Sequence, residues 1–164
     1  MVLDRVLLSA APLEGCALLL GKHQQRDLHL QRIWPCCNRW EPAEERHQRF
    51  RLDPREQLLA QRWGRAHGLQ VIGSAHSHPS SGAVPSTTDL QLCCGPTLML
   101  IRSGRPGAMP EGRGVEAASR LRAWWIPDDA GWDSDPAGFN PVPRELAIAL
   151  DDGTPAAVPG HLGE

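Results

Sequence analysis

Short apolar runs separated by polar connections recur along the whole chain of 164 residues. Runs of this length, bounded by turn-forming or charged residues, are typical of buried strands rather than of amphipathic helices. Six of them predict strands, at residues 16–22, 28–34, 47–52, 69–75, 98–101 and 121–126. Residues 38–45 are polar and predict a connection between the second and third of these strands.

Helical patterns fall before and between the predicted strands, at residues 3–10, 54–67 and 87 to about 94. The segment 54–67 has the clearest boundaries, because Asp53 is placed to cap it, Pro54 stands at its first position and Gly68 follows its end. We expect its apolar stripe to face the core, and this stripe comprises Leu58, Leu59, Trp63 and Ala66. The order of elements predicts an α/β fold in one domain, with a central mixed β-sheet flanked by helices.

Two histidines, His76 and His78, stand directly after the predicted buried strand at 69–75. Side chains two positions apart in a strand point to the same side, so both imidazoles could reach one metal ion. The loop at 79–85 turns the chain back and could bring Asp89 to the same point. Two histidines and one carboxylate are a familiar catalytic zinc set, which leaves a fourth position for a water molecule whose pKa falls to about 7.

The full spacing is His-x-His, seven residues, Ser86, two residues and Asp89, preceded by Glu14 near the start of the chain. This pattern resembles the JAMM motif of the MPN+ metallopeptidases, and the resemblance covers residues 1 to 103 and extends to about 126. It implies an MPN (cytidine deaminase-like) fold, a catalytic domain at 1–126 and a Pro- and Gly-rich extension at 127–164. Within that extension only residues 144–150 show a pattern of order.

The resemblance also implies a role for each residue of the motif. His76, His78 and Asp89 would bind Zn²⁺, Glu14 would act as general base and then general acid, and Ser86 would stabilise the oxyanion or hold the water. Ser77 lies between the two histidines and faces the other side of the strand, so we expect it to be structural.

Each piece of the motif also has a simpler interpretation. A His-x-His pair alone is often two surface or core histidines, and Glu14 alone could be a solvated residue at the start of a strand. Ser86 and Asp89 fit a helix N-terminal capping arrangement, a role compatible with metal binding. All five positions occur together, and this joint pattern favours a metal site with catalysis.

The substrate implied by the resemblance is a peptide or isopeptide bond after the Gly-Gly tail of a ubiquitin-like protein, which would add as a strand beside the sheet. The short chain is similar to the compact prokaryotic branch, which indicates a sulfur-carrier protein as partner, with ubiquitin as second choice. Two alternatives remain: a non-catalytic MPN-type interaction domain, and a zinc hydrolase of small amides.

Charge and cysteine content bear on three further questions: binding to nucleic acid or membranes, the state of the cysteines, and the cellular compartment. The formal net charge is −2, which gives no attraction to nucleic acid or to an acidic membrane. The five cysteines include two vicinal pairs, Cys36-Cys37 and Cys93-Cys94, and no C-x-x-C pair, so we expect free, mostly apolar-packed thiols rather than disulfides or a structural zinc site. With no pattern of a signal peptide or a membrane span, we expect a cytoplasmic protein.

Trp124 and Trp125 are adjacent in a predicted strand, so their side chains should point to opposite faces of the sheet. Two arrangements are open: one indole in the core and the other exposed to a partner, or both covered by the extension.

Overall fold

The computed structural model describes residues 2–93, 95–104, 120–127 and 142–150. Its strands form one six-stranded sheet in the order β2-β1-β3-β4-β5-β6. The strands are β1 (Cys16–Gln24), β2 (Asp27–Cys36), β3 (Gln70–His78), β4 (Thr97–Ser103), β5 (Leu121–Ile126) and β6 (Arg144–Leu146). The helices are α1 (Val2–Leu8), α2 (Pro54–Ala66) and α3 (Thr87–Gln91), with a 3-10 helix at Ala43–His47.

The sheet is mixed, because β3 and β4 run parallel while every other neighbouring pair is antiparallel. Strands β1, β3, β4 and β5 are buried along most of their length, whereas the edge strand β2 has no fully buried residue. The predicted α/β class with a central mixed sheet flanked by helices is confirmed. Strand β6 falls within the predicted extension at 127–164 and pairs with β5.

The helices lie on both faces of the sheet. Leu19 packs in the cluster that contains α1, whereas its neighbours Leu18 and Leu20 pack in the cluster that contains α2. Since successive side chains of a strand point to opposite faces, α1 and α2 cover opposite sides. A third cluster joins Leu90 of α3 to Met99 and other residues of β4 and β5. It lies on the α2 side, because Met99 alternates with two β4 residues of the α1 cluster.

Helix α2 begins as predicted but buries a different face. The Asp53 carboxylate accepts a hydrogen bond from the Arg55 backbone N–H at 2.9 Å, and Gly68 has a positive φ of 65° just past the end. The predicted core stripe was wrong except at Trp63, which is half-buried and packs against the cluster that contains α2. Leu58 and Leu59 are 66% and 56% exposed; the buried positions are the small residues Ala60 and Gly64. At Gly64 an added Cβ would lie 3.1 Å from Leu20, so the missing side chain lets α2 lie close to β1.

The predicted strand at 47–52 was also wrong. The chain there leaves the 3-10 helix and continues without regular structure to Asp53. Asn38 binds backbone groups in and beside this segment: its side-chain amide donates to the Arg46 and Arg49 carbonyls at 3.4 and 2.8 Å and accepts from the Arg51 N–H at 3.3 Å. The Arg51 carbonyl accepts from the Arg39 N–H at 2.8 Å. Because these groups supply its partners, the segment does not need a neighbouring strand.

The remaining predicted elements are confirmed with small changes in their ends. Helix α3 is shorter than predicted, and Cys94 lies outside the described residues, as do most of the predicted loop at 103–114 and most of the extension. Trp124 is in the core and Trp125 is half-buried, on opposite faces as expected. Cys16, Cys36, Cys37 and Cys93 are free thiols. Of the helices in the described ranges, none has both the length and the hydropathy needed to cross a bilayer.

Candidate metal centre

His76 and His78 occupy the carboxyl end of β3 and point to the face that carries α2 and α3. His76 is opposite Ile101 of β4, a member of the α3 cluster, so the two side chains share that face. Both imidazoles are buried, and their Nε2 atoms lie 2.9 Å apart. At this distance the two facing nitrogens cannot both carry a proton, so at least one lone pair is free for a ligand.

Asp89 completes the group from the first turn of α3. Its Oδ1 lies 3.5 Å from Nε2 of His76, and its Oδ2 lies 3.5 Å from Nε2 of His78. The ligand atoms offered by the three side chains are all within 4.8 Å of one another, and no second group of this kind occurs in the part of the chain that the structure describes. The structure therefore brings together the three residues that the sequence predicts as ligands.

The spacing of these donor atoms fits a small divalent cation. Two imidazole nitrogens bound tetrahedrally to zinc would be about 3.3 Å apart, given metal–nitrogen distances of about 2.0–2.1 Å. The separations of 2.9 and 3.5 Å lie on either side of that value. Two imidazoles and one carboxylate could hold a metal ion and leave a coordination position open.

The contacts of the two imidazole rings determine whether Nε2 can act as a metal ligand. Nδ1 of His78 lies 2.8 Å from the Gly82 carbonyl, and because a carbonyl can only accept, Nδ1 carries the proton and Nε2 presents its lone pair. Nδ1 of His76 is buried without a hydrogen-bond partner among the described residues. The Phe50 ring stacks on His76, with centroids 4.4 Å apart and planes inclined by 22°.

The charges of the group are strongly coupled. Burial lowers the pKa of His76, against the opposing attraction of Asp89, so this imidazole is neutral. Burial also disfavours protonated His78, but the Asp89 carboxylate and the Gly82 carbonyl outweigh it and raise the pKa of His78. Burial alone would raise the pKa of Asp89, yet its contacts with both histidines hold that pKa well below its ordinary value. The carboxylate is therefore an anion, and a cation bound among the three side chains would compete with protonation of His78.

Glu14 lies just before β1 with its side chain 3% exposed. Burial raises the pKa of Glu14 from 4.5 to about 7, with attraction from His78 lowering it and repulsion from Asp89 raising it. The pKa of Glu14 therefore responds to the charges of two of the three residues of the group. Its backbone is fixed on both sides: the N–H donates to the Arg46 carbonyl at 2.8 Å, and the carbonyl accepts from the Asn38 amide at 3.2 Å.

Ser86 is exposed and forms a capping box with Asp89. Its hydroxyl donates to Asp89 Oδ2 at 2.7 Å, its backbone N–H donates to the same oxygen at 2.7 Å, and the Asp89 N–H donates back to the hydroxyl at 3.2 Å. The capping interpretation of this pair is thus confirmed, and it accompanies the metal-ligand geometry. Ser77 points to the α1 face, where its hydroxyl accepts from the Gly15 N–H at 2.9 Å, as expected of a structural residue.

Two residues of this site were not found from the sequence. Phe50 was assigned to a strand that does not form, and nothing in its local pattern indicates that it stacks on His76. Asn38 lies in the polar connection, and its signal was its residue type, because asparagine often binds nearby backbone groups in loops. Both positions depend on contacts over long sequence separations, which a local pattern does not contain.

This architecture, with a His–His–Asp group at the carboxyl end of a central strand, defines an α/β protein of the JAB/MPN type. Residues 5–126 match the family described as prokaryotic homologues of the JAB domain, and the chain belongs to that family. The predicted relationship to this fold family is confirmed.

Two solved structures show the same fold. The chain is similar to the solution structure of a protein from Desulfitobacterium hafniense, with 27% identity, 92% of this chain and 86% of that chain covered, and a TM-score of 0.67. It is also similar to the solution structure of a protein from Salinibacter ruber, with 30% identity, 92% and 88% covered, and a TM-score of 0.56. No curated protein matches the chain.

Proposed function

We propose that the chain is a zinc-dependent metallopeptidase that hydrolyses a peptide or isopeptide bond after the Gly-Gly tail of a ubiquitin-like or sulfur-carrier protein. The observation that carries this proposal is the convergence of His76, His78 and Asp89, together with the buried carboxyl of Glu14, whose pKa responds to the charges of His78 and Asp89. A scaffold without chemistry has no need of a buried acid whose pKa is close to neutral next to three metal-binding groups.

The three ligand residues fit Zn²⁺ by donor type, spacing and burial. When bound, the ion would supply Lewis-acid chemistry, activating a water molecule and polarising the scissile carbonyl. His76 and His78 would hold the ion with their imidazole nitrogens, and Asp89 would contribute the negative charge that keeps it in place.

Glu14 is the proton carrier of the proposed reaction. A carboxyl with a pKa of about 7 exists in both protonation states at neutral pH. It can therefore take a proton from the attacking water onto a carboxylate oxygen and later return it to the leaving nitrogen. The hydrogen bonds to its backbone N–H and carbonyl hold the main chain of Glu14 in place, so little reorganisation of the backbone is needed.

Ser86 has two proposed tasks. Its hydroxyl orients Asp89 through the 2.7 Å hydrogen bond, and this exposed hydroxyl also lies at the mouth of the site. There it could donate instead to the oxyanion of the substrate carbonyl, as the family resemblance implies. When the hydroxyl leaves Asp89 for the oxyanion, the Asp89 carboxylate would still accept the hydrogen bond from the Ser86 backbone N–H.

The substrate class rests on the family. Its prokaryotic description supports a sulfur-carrier protein over ubiquitin, and an extended Gly-Gly tail is the form of substrate that could enter beside a sheet as an added strand. A small amide would need the same water activation, so the assay has to present both kinds of substrate.

The test combines metal content with cleavage. Protein purified without added metal should carry stoichiometric zinc by atomic absorption and should cleave Gly-Gly-ended carrier conjugates, with activity lost on chelation and restored by zinc. Glu14→Gln should retain zinc and lose most turnover, whereas near-full activity in that variant would contradict the proton-carrier role. Absence of zinc would favour the non-catalytic interaction domain, and turnover of small amides alone would replace the proposed substrate class.

A further inference from the structure

The loop that joins His78 to Ser86 is held to the sheet through three consecutive carbonyl groups. The Ser81 carbonyl accepts from the Ser103 hydroxyl at 2.6 Å. The Gly82 carbonyl is 2.8 Å from Nδ1 of His78, and the Ala83 carbonyl accepts from Nε1 of Trp124 at 2.9 Å. The three side chains come from β4, β3 and β5, so three neighbouring strands each bind one carbonyl of the same loop.

Among the described residues, these are the three side-chain hydrogen bonds that hold the loop at 79–85. Ala83 is its only buried side chain, while Pro79 and Pro85 are half-buried and the other residues of the loop are exposed. A loop with so little apolar burial gains little from packing, so its position depends on its hydrogen bonds. The loop also determines where Asp89 lies, because Ser86 follows it directly and caps the helix that carries Asp89.

We propose that Trp124 is a positioning residue of the metal centre, which holds Asp89 at the correct distance from His76 and His78 by binding the Ala83 carbonyl. The inference rests on the proposed function in so far as that function requires a metal at this group. The Trp124 indole N–H binds the loop rather than a ligand residue, so it acts through the loop. Its indole is buried and belongs to the same apolar cluster as Ala83 and Leu90, the residue after Asp89, so it supports both the loop and α3.

Ser103 provides an independent test of whether anchoring of the loop positions Asp89. It pairs with His78 across the parallel strands β3 and β4, and its hydroxyl reaches past the strand end to the Ser81 carbonyl. If the anchoring of the loop positions Asp89, loss of this hydroxyl should weaken the site as loss of the indole N–H does. The Ser103→Thr variant keeps a hydroxyl and should rescue what Ser103→Ala loses.

The test measures the zinc dissociation constant by competition with a chromophoric chelator, using Zn²⁺ as the only ligand. Trp124→Phe retains an aromatic ring for the core and for the Arg122 guanidinium that lies over it, but it lacks the N–H donor. Trp125→Phe is the matched control, since it makes the same change one residue away on the other face. We expect Trp124→Phe and Ser103→Ala to bind zinc about tenfold more weakly, the size usual for groups that orient metal ligands, and Trp125→Phe and Ser103→Thr to bind like the wild type.

Amide hydrogen exchange of the metal-free proteins provides a second readout that does not depend on zinc. Residues 80–90 should exchange faster in Trp124→Phe than in the wild type or in Trp125→Phe. Wild-type zinc affinity in Trp124→Phe, or equal losses in the two tryptophan variants, would overturn the inference. If the wild-type chain bound no zinc, the proposed function would fail, while faster exchange confined to Trp124→Phe and Ser103→Ala would still uphold the anchoring of the loop. The two serine variants decide the matter if Trp124→Phe does not fold.

Discussion

Replacing Glu14 by glutamine should stabilise the metal-free protein at neutral and alkaline pH, although it removes the proposed proton carrier. Burial is the largest cause of the raised pKa of Glu14, which means that the ionised carboxylate is poorly solvated in the folded state. Glutamine has nearly the same shape and never ionises. The variant therefore keeps the packing of the site and avoids the free-energy cost of a buried carboxylate.

The pH dependence and its sign follow from linkage. The native carboxyl has a pKa of about 7, against 4.5 in its ordinary state. Between these values the folded protein binds more protons than the unfolded chain, so the free energy of unfolding falls as pH rises through this window. At about 1.4 kcal/mol per pKa unit, ionised Glu14 destabilises the metal-free native state by about 3 kcal/mol above pH 8. The pKa of about 7 already includes the attraction of His78 and the repulsion of Asp89, so the figure is the net cost of ionising Glu14 in the folded protein.

The assay is urea unfolding of chelator-treated protein under reducing conditions, followed by tryptophan fluorescence at pH values from about 4.5 to 8. The difference in unfolding free energy between Glu14→Gln and wild type should grow with pH towards about 3 kcal/mol and vanish near pH 4.5. Glu44→Gln makes the same chemical change at an exposed carboxyl and should differ from the wild type by less than about 0.5 kcal/mol. Equal stability of Glu14→Gln and wild type at pH 8, or a difference that does not change with pH, would refute the reasoning.

Three further predictions concern the ligand set and the fold. His78→Ala should abolish zinc binding and activity together, measured by metal content and cleavage, and tight zinc in this variant would mean that the ligands are misassigned. Gly15→Ala should lower the unfolding free energy by about 2 kcal/mol, because the added Cβ would lie 2.2 Å from the Leu7 carbonyl oxygen; wild-type stability in urea would show that α1 can move away. Asp53→Ala should cost about 1 kcal/mol in the same assay by removing the cap of α2, while Asp53→Asn, which keeps an acceptor for the Arg55 N–H, should lose little.

The metal-ligand geometry was predictable because it depends mainly on short-range structure. Two histidines separated by one residue in a strand share a face by the geometry of the strand alone. Ser86 and Asp89 carry the signature of a helix start, and the structure shows that the same capping box that begins α3 also orients the Asp89 carboxylate. Only the return of the loop at 79–85 had to be assumed, and a Gly/Pro-rich segment makes such a turn natural.

The errors arose where tertiary contacts decide the structure. The apolar stripe of α2 suggested that Leu58 and Leu59 face the core, but the closest approach of helix and sheet occurs at Gly64, where no side chain intervenes. The segment at 47–52 has residues compatible with a strand. Two of its backbone groups, however, form hydrogen bonds with the Asn38 side chain instead of with a neighbouring strand. In each case a small or polar residue with little periodic signal determined the outcome.

The parallel pairing of β3 and β4 explains why the site lies where it does. Because these strands run in the same direction with His78 opposite Ser103, their carboxyl ends finish together, and the Gly104 N–H donates to the His78 carbonyl at 2.8 Å. If β4 ran antiparallel to β3, its first residues would lie next to His78. The hydroxyl at the end of β4 would then lie at the other end of β3, far from the loop. The loop after His78 therefore meets the end of β4 and can be bound by Ser103, with β5 placed beside it to supply Trp124. The hydrogen bonds that hold the loop beside the candidate metal centre thus follow from strand direction, a property that no local pattern of hydrophobic residues encodes.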